Sequence, residues 1–340
     1  MTTRAKTDEA RNAVRLNPNK GFGMIYPVIP WGCQEAINMS TKRDILSITG
    51  LTPDETMRIV YRAKLIKSEE PSSPLANKSV ALIFDKPSLR TRTSFQVGIS
   101  RLGGYSVYLG EDEVRLGTRE PVSDIARVLS GYVDCIIARV SSHKAMEELA
   151  SYASVPVVNA LSDWEHPCQT LADLLTMEEH LGGIKGKKLA FIGDGNNVSR
   201  SLCLGLPALG ATFAIATPDG YNLDSESVAL ARQRSGSGQV LEFTHPAEAV
   251  VNADTVYTDV WASMGQEQES AKRRKAFKGY MVDPELLSKA KKGAIFMHDM
   301  PAHYGEEVPE GMLEHPQSVA YQQAHNRLYA QMALLEFILC

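Results

Sequence analysis

The sequence predicts an α/β protein with two domains, each built on a doubly wound parallel sheet. Short apolar runs typical of buried strands alternate with amphipathic segments typical of helices. This alternation favours parallel sheets that carry helices on both faces. A chain of 340 residues, 44% of them hydrophobic, can bury a large core, and its length favours two domains. No period of ~20–50 residues is visible, which excludes a solenoid.

The expected strands are short apolar runs, and the expected helices lie between them. The strands are residues 79–84, 135–140, 155–161, 188–193, 212–217, 240–243, 255–260 and 294–297. Apolar residues recur at helical spacing in 93–102 and 169–181, and a final helical run covers Ala320–Leu339. The glycine-rich segment 182–186 follows the helix at 169–181 and predicts its end, so we place the domain boundary there.

A segment rich in arginine and hydroxyl groups connects the first strand to the first of these helices. It reads FDKPSLRTRTSF over residues 84–95. Because a helix N-terminus presents backbone N–H groups without intrahelical partners, the segment predicts a phosphate site. The alternative is a capped helix whose arginines are merely solvated. For this segment alone, that alternative would be the safer interpretation.

Composition excludes several classes of function. The net charge of −4 and the pI near 6.1 give no general attraction to nucleic acid. Five scattered cysteines without C-x-x-C spacing argue against a disulfide framework or a zinc site and favour a reducing, cytoplasmic location. No apolar run reaches the ~18 residues of a membrane span. Asp8 and Glu9, among the basic residues of the first 20, disfavour a transit peptide.

Four further segments change the interpretation of the arginine-rich segment. They are RVSSH at 139–143, HPCQ at 166–169, DVWASMG at 259–265 and AHNR at 324–327. Together with residues 84–95, they resemble the transcarbamoylase family and, within it, the ornithine carbamoyltransferases. The resemblance runs in order from about Lys42 to the C-terminus.

The resemblance implies a reaction and an architecture. The carbamoyl group of carbamoyl phosphate would pass to the side-chain amine of L-ornithine, giving L-citrulline and phosphate in arginine biosynthesis, a part of amino-acid metabolism. No metal or cofactor is implied. The domains would be an extension at 1–41 without an assigned role, a carbamoyl-phosphate domain at 42–182, an amino-acid domain at 183–318, and a C-terminal helix at 319–340 that packs back on the first domain. The assembly would be a homotrimer or a multiple of trimers.

The resemblance also assigns residues to carbamoyl phosphate: Ser88, Leu89, Arg90, Thr91, Arg115, Arg139, His166, Gln169, Asp299, Met300 and Arg327. Those implied in catalysis are Arg90, Arg139, His166, Gln169, Asp299 and Arg327. Planar guanidinium groups suit a phosphate dianion better than ammonium groups do. A single His such as His166 is usually a satisfied core residue, but its place at a helix start after a strand favours a ligand role. Arg115 stands where the family places Gln or His, at a position that reaches the site of the adjacent subunit.

The amino-acid substrate is assigned to Asn197, Asp259, Ser263 and Met264. Asp259 would pair with the α-ammonium group and Asn197 with the main-chain-like groups of the amino acid. An aspartate at a strand end is often only a helix cap, but the residues after Asp259 match the family segment.

A dinucleotide site is a weaker alternative. Gly193-Asp194-Gly195 follows a strand, and Asp219 lies about 20 residues further on, in the place of a ribose acceptor. The third glycine of that fingerprint is missing, so we rank an NAD-dependent oxidoreductase below the transferase.

One departure from the family affects the reacting amine. The family's His-Cys-Leu-Pro segment is His298-Asp299-Met300-Pro301 here, and the resemblance predicts a cis bond before Pro301. A carboxylate at Asp299 would attract an ammonium group and also hold its proton. The departure leaves open an altered pH optimum, a transcarbamoylase for a different amine, or a catalytically silent paralogue that only binds ligands. A lesser departure is His325, where Glu usually precedes Asn-Arg.

Overall fold

The computed structural model describes residues 42–70, 72–262 and 267–340. The expected extension at 1–41 lies outside the described residues. The described chain contains two parallel sheets, so the predicted α/β fold with two doubly wound sheets is confirmed. No helix in these ranges is long and apolar enough to cross a membrane.

The first sheet has four strands in the order β2-β1-β3-β4, all of them parallel. The strands are β1 (Ser79–Phe84), β2 (Tyr105–Gly110), β3 (Cys135–Arg139) and β4 (Val157–Leu161). The two central strands are almost entirely buried, because helices cover both faces of a parallel sheet.

The helices around this sheet are α1 (Pro53–Ile66), α2 (Leu89–Arg101), α3 (Glu111–Val114), α4 (Val122–Ser130), α5 (His143–Tyr152) and α6 (Pro167–Leu181). A 3₁₀ turn at Ile48–Gly50 precedes them. Helix α1 begins with Pro53 after a capping box, in which Thr52 accepts from the Glu55 N–H and Glu55 accepts from the Thr52 N–H. Gly182, with φ 68°, ends α6 in the left-handed conformation that glycine adopts without a steric penalty.

The second sheet has five parallel strands in the order β7-β6-β5-β8-β9. They are β5 (Lys188–Ile192), β6 (Thr212–Ala216), β7 (Gln239–Phe243), β8 (Thr255–Thr258) and β9 (Ile295–His298). Its helices are α7 (Asn197–Gly205), α8 (Ser225–Arg234), α9 (Pro246–Ala249), α10 (Ser270–Ala276) and α11 (Pro284–Ser288), with 3₁₀ turns at Pro207–Leu209, Glu267–Glu269 and Met312–Glu314.

The last helix, α12 (Ala320–Leu339), follows the second sheet in sequence and packs on helices α1, α2 and α6 around the first sheet. Its residues Ala330, Ala333, Leu334 and Leu335 join the largest hydrophobic cluster, which also contains Phe84 of β1. The burial of this apolar face carries Arg327, a residue far along the sequence, back to the arginine-rich segment.

Three details differ from the expectations. Strand β2 was not predicted, because it is an edge strand whose residues alternate between exposed and partly buried positions, with Tyr105 68% exposed. Helix α2 begins at Leu89, four residues earlier than expected, so Arg90 lies in its first turn. Several predicted strands end one or two residues sooner: β8 ends at Thr258, and Asp259 is the first residue after it.

Candidate active site

The carboxyl ends of both sheets face one cavity of about 810 Å³, called the cleft here. Ligands of doubly wound folds bind outside the carboxyl ends of the strands. The described residues of the cleft include every sequence-predicted ligand between Ser88 and Thr91, together with Arg139, His166, Asn197, Asp259, Asp299, Met300 and Arg327. Segments separated by more than 200 residues in sequence therefore meet there.

The N-terminus of α2 opens into the cleft. Ser88 is the N-cap residue, but its side chain accepts no hydrogen bond from the helix. The first backbone N–H groups of α2 therefore keep their capacity to donate, and the helix dipole adds partial positive charge at the same place. Leu89 is 77% exposed and contributes only its backbone to a polar site. This end of α2 has the geometry of a phosphate site.

Thr91 accepts hydrogen bonds from two arginines. Its Oγ1 accepts from Nη1 of Arg139 at 3.0 Å and from Nη2 of Arg327. A threonine hydroxyl has two lone pairs and one hydrogen, so both lone pairs are used and the hydrogen remains available to a ligand. Thr91, Arg139 and Arg327 are all buried, with Arg327 only 3% exposed. The position of Thr91 is thus fixed from two other elements.

A third guanidinium group, that of Arg90, completes a positive cluster. Its Nη2 donates to the carbonyl oxygen of Met300 at 2.7 Å. The Nε atoms of Arg90, Arg139 and Arg327 are buried, and within the described chain none has a hydrogen-bond partner. Burial, with repulsion from the other two arginines, lowers the pKa of Arg139 to about 10, so it remains charged at neutral pH. Three charged groups with unused donors favour a bound anion.

His166 and Gln169 lie at the start of α6, beside this cluster. Burial and the nearby arginines hold the pKa of His166 well below its ordinary value, so the ring is neutral. Its Nδ1 is enclosed without a partner in the part of the chain that is described. Gln169 donates from Nε2 to Asp173 at 2.8 Å, and its Oε1 has no described partner. Gln169 is fully buried and is not among the described lining residues of the cleft, although His166, one turn earlier, is.

The opposite side of the cleft is acidic. Asp259 accepts from Nδ2 of Asn196 at 2.6 Å and from the N–H of Val260 at 2.6 Å. Asn196 also caps α7, since its side chain accepts from the N–H groups of Val198 and Ser199. Asn197 donates from Nδ2 to the carbonyl oxygen of Ser162 at 2.7 Å, which leaves its side-chain oxygen available to a ligand.

Asp299 lies between the two halves of the cleft. Its side chain is 12% exposed, and its Oδ1 is buried without a partner among the described residues. Burial first, and then the charge of Asp259, raise the pKa of Asp299 well above its ordinary value. The same environment lowers the pKa of Arg327, mainly through burial.

His298 holds the Asp299 segment in place. Its Nδ1 accepts from the N–H of Met300 at 2.9 Å, so Nε2 carries the ring hydrogen and faces Oε1 of Glu307 at 3.3 Å. The backbone N–H of His298 donates to Gln323 on α12 at 2.8 Å. These contacts support Met300, which has a φ of 62°, and the bond before Pro301 is cis, as expected.

Besides Gln169, three predicted ligands are not placed in the cleft. Arg115 is 59% exposed at its side chain, lies 3.9 Å from Asp112, and is absent from the described residues of the cleft. Ser263 and Met264 lie outside the described residues. The expected roles of these three residues stay predictions.

Sequence reasoning missed several residues that organise the cleft. Asn196 donates a hydrogen bond to Asp259, a contact that none of the expectations from the sequence included. The buried pair of Arg273 and Asp194, 2.6 Å apart, holds α10 against the loop after β5, and Arg273 also donates to the carbonyl oxygen of Trp261. Nothing local in the sequence pairs residues 79 positions apart.

The glycine-rich turn after β5 does not present a dinucleotide site. A Cβ at Gly195 would lie 2.5 Å from the backbone of Asn222 and Leu223. Its N–H donates to the carbonyl oxygen of Tyr221 at 2.8 Å. The protein's own backbone therefore fills the space that a pyrophosphate would need. Gly195 is required for this close approach.

The cleft thus combines an anion-binding half with an acidic half. The first offers a helix N-terminus, three guanidinium groups and a hydroxyl donor, and the second offers two carboxyl groups. Such an arrangement can hold a phosphorylated acyl compound against an amine nucleophile that also carries a cationic group, with donors ready for an oxygen that gains negative charge.

Comparison with known proteins agrees with this geometry. Residues 43–179 match the aspartate/ornithine carbamoyltransferase carbamoyl-P binding domain, and residues 185–338 match the Asp/Orn binding domain. The chain is 48% identical to an ornithine carbamoyltransferase of Pyrococcus abyssi over 303 residues, which are 87% of this chain and 96% of the relative. It is 47% identical to an anabolic ornithine carbamoyltransferase of Pyrococcus furiosus over 303 residues, with coverage of 87% and 96%.

Solved structures give the same result. The ornithine carbamoyltransferase structure from Pyrococcus furiosus superposes with a TM-score of 0.84 at 46% identity, covering 88% of this chain and 97% of that one. The structure from Thermus thermophilus gives a TM-score of 0.81 at 41% identity, with coverage of 88% and 100%. Both family models and both kinds of comparison agree, and the chain belongs to the aspartate/ornithine carbamoyltransferase family.

Proposed function

We propose that this protein transfers the carbamoyl group of carbamoyl phosphate to the side-chain amine of L-ornithine, forming L-citrulline and phosphate. The observation that carries the proposal is that one cleft has a cluster of positive groups on one side and a carboxylate on the other. The cluster of Arg90, Arg139 and Arg327 faces the N-terminus of α2, while Asp259 lies on the other side. The direction proposed is arginine biosynthesis, because a relative of high identity is an anabolic enzyme.

The anion half binds carbamoyl phosphate in this proposal. The α2 N-terminus, Ser88 and Arg90 hold the phosphate, and Arg139 reaches both the phosphate and the carbamoyl group. The phosphate is the leaving group, and its developing charge meets fixed positive charge that needs no rearrangement. Thr91 supplies its remaining hydroxyl hydrogen, and Arg327 its free donors, to the carbonyl oxygen, where negative charge develops in the tetrahedral intermediate.

His166 and Gln169 recognise the carbamoyl group. A neutral imidazole can donate from one nitrogen and accept at the other, and His166 remains neutral at working pH. Gln169 presents its amide oxygen to the carbamoyl NH2, because its amide group is oriented by the hydrogen bond from Nε2 to Asp173. The carbonyl oxygen of Met300 lies on the same side of the cleft, where it accepts a hydrogen bond from Arg90.

The acidic half binds ornithine. Asp259 pairs with the α-ammonium group, Asn197 binds the main-chain-like atoms, and Ser263 and Met264 complete the pocket.

A second candidate function is favoured by a specific observation. Asp299 adds a carboxyl group beside Asp259, and two carboxyl groups suit an amine with a further cationic group. Transfer to such an amine is the alternative.

We also propose the domain limits of 42–182, 183–318 and 319–340, and a homotrimer in which Arg115 reaches the neighbouring cleft. Arg115 is exposed on the surface, and among the described residues its side chain has an ion-pair contact with Asp112 at 3.9 Å, so it is accessible to a second subunit.

The test of function is the release of phosphate from carbamoyl phosphate in the presence of single amines. Ornithine, lysine and putrescine would be compared at equal concentration, and citrulline would be identified among the products. The proposal expects citrulline and phosphate in equal amounts with ornithine. Faster turnover of another amine would favour the alternative. Binding of carbamoyl phosphate without turnover of any amine would indicate a ligand-binding paralogue.

A further inference from the structure

Asp259 and Asp299 directly follow Thr258 and His298, which pair across the neighbouring parallel strands β8 and β9. The two carboxyl groups therefore lie side by side at the carboxyl end of the second sheet, and both line the cleft. Burial, the charge of Asp259 and a side-chain hydrogen bond with Asp259 raise the pKa of Asp299. Asp259 is 6% exposed, and the side chain of Asp299 is 12% exposed. Two carboxylates that share a site this closely cannot both remain ionised without a large cost. One of them must carry a proton when no cation lies between them.

The hydrogen bonds decide which group is ionised. Asp259 accepts from Asn196 and from the backbone N–H of Val260, each at 2.6 Å, and both donors stabilise its charged form. Asp299 has no such donor in the described chain, and its Oδ1 is enclosed without a partner. The proton of the pair therefore lies on Asp299.

Other charges face Asp299 from several elements. Arg327 of α12 favours its ionised form, while Asp173 of α6 opposes it. Arg90 of α2 and Arg139 of β3 are also attracted to Asp299. The ring of His298 lies 3.7 Å away, but its Nδ1 already accepts from Met300, so this nitrogen offers no charge. A bound phosphate dianion would offset the three arginines and strengthen the hold of Asp299 on its proton.

We infer that Asp299 donates a hydrogen bond to Asp259 in the free cleft and becomes the base for the attacking amine once a substrate ammonium pairs with Asp259. This inference rests on the proposed function and deepens it. The α-ammonium group of ornithine neutralises Asp259, so the two carboxyl groups no longer compete. Asp299 then loses its proton to solvent and lies beside the side-chain amine as a poorly hydrated carboxylate.

The transfer step balances with these groups alone. The amine lone pair attacks the carbonyl carbon of carbamoyl phosphate, and the C=O electron pair moves to the oxygen, which is held by Thr91, Arg139 and Arg327. The proton on the attacking nitrogen passes to Asp299. The carbonyl re-forms, and the bond from carbon to the phosphate oxygen breaks, with its electron pair leaving on phosphate. Asp299 ends protonated, ready to bond to Asp259 again.

The test uses Asp299→Asn, which keeps the shape of the side chain and can still donate to Asp259 but cannot accept the proton. The infrared spectrum of the ligand-free wild-type protein at pH 7 should contain a protonated-carboxyl band that is missing in Asp299→Asn. Asp173 is a second buried acid whose pKa is raised to about 7, so Asp173→Asn is the matched control, and it should retain the Asp299 band. If every protonated-carboxyl band of the wild-type spectrum persisted in Asp299→Asn, the shared proton would be overturned.

Kinetics test the second half of the inference. General acid–base catalysis contributes ~10²–10⁴-fold, so kcat with ornithine should fall by that factor in Asp299→Asn, while calorimetry should show that the variant still binds carbamoyl phosphate. Asp299→Cys, whose side chain can titrate, should recover part of the loss and move the pH profile. Wild-type kcat in Asp299→Asn would overturn the role as base. If the wild-type protein turned over no amine, the proposed function and the base role would both fail, and the infrared band would still decide whether the pair shares a proton.

Discussion

Gln169 donates a hydrogen bond from Nε2 to Oδ1 of Asp173, one turn further along α6, at 2.8 Å. The same carboxyl group accepts from Gln323 of α12 at 2.7 Å, and Gln323 in turn accepts from the N–H of His298. Asp173 therefore connects a proposed carbamoyl ligand to the segment that holds Asp299. The contact uses one of the two amide hydrogens and orients the amide group, and the amide oxygen, which has no described partner, is the acceptor left for the substrate.

The titration of Asp173 predicts a pH dependence of stability. Burial raises its pKa to about 7 in the folded protein, from an ordinary value near 4 when unfolded. Between these values, the folded state binds more protons than the unfolded state, so the contribution of Asp173 to stability is full below about pH 4 and is lost as pH rises to about 7. Asp173→Asn should flatten this part of the profile. The measurement is the free energy of unfolding in denaturant at pH 5 and pH 8. An equal difference between the two pH values in both proteins would contradict the assignment.

Loss of one phosphate donor should damage catalysis selectively. Arg90→Ala removes a preorganised guanidinium group and should lower kcat/KM by at least ~10²-fold, the scale for one such donor. Arg92→Ala is the matched control, since Arg92 lies in the same motif but stacks on Tyr108 at 3.5 Å, outside the described lining of the cleft. We expect the control to keep activity within a few fold. Near-normal activity of Arg90→Ala would remove Arg90 from the phosphate site.

Selection of an α-amino acid should depend on Asp259. Putrescine has the reacting amine of ornithine but no α-carboxylate, so it should be a far poorer acceptor. Putrescine keeps a second ammonium group, so the matched probe of Asp259 is 5-aminopentanoate, which has the reacting amine and the carboxylate but no α-ammonium group. Asp259→Asn should reduce the advantage of ornithine over 5-aminopentanoate, because the amide cannot neutralise an α-ammonium group. The measurement is the kcat/KM for ornithine relative to putrescine in the wild-type protein, and relative to 5-aminopentanoate in both proteins. Equal kcat/KM values for ornithine and putrescine with the wild-type enzyme would contradict the assignment to ornithine.

Arg115 provides a test of assembly. If it reaches the cleft of a neighbouring subunit, a mixture of Arg115→Ala and Arg90→Ala subunits should form some clefts in which both arginines are intact. Activity should then reappear on mixing two weakly active proteins, after exchange of subunits has been verified by native mass spectrometry. Verified hybrids without any recovery would show that each cleft is complete within one chain.

The parts of the fold that follow from local patterns were predictable from the sequence. Buried strands such as β1 have continuous apolar runs, and α12 has a helical period over its whole length. Strand β2 was not predicted, because an edge strand with an exposed Tyr105 lacks such a run. Its pairing with β1 depends on backbone hydrogen bonds, which any sequence can form.

The site residues that belong to short motifs were predictable from the sequence. The contacts between residues far apart in sequence were not. The S-x-R-T-R and H-P-x-Q segments identify the anion half by their residue types. The contact of Asn196 with Asp259 and that of Gln323 with His298 join residues 63 and 25 positions apart. They exist only because the packing of helices on the two sheets brings these elements together. Asp299 lies beside Asp259 because β8 and β9 are neighbours in the second sheet, a pairing that no local pattern indicates.

The most direct test of the central claim is the stoichiometry of products with carbamoyl phosphate and L-ornithine at pH 7–8. Phosphate would be measured together with citrulline by chromatography, with Arg90→Ala protein and an amine-free reaction as controls. We expect one citrulline for each phosphate released above the amine-free rate, and a loss of both products in Arg90→Ala. Phosphate release that does not depend on ornithine, or an absence of citrulline while another amine is carbamoylated, would contradict the claim.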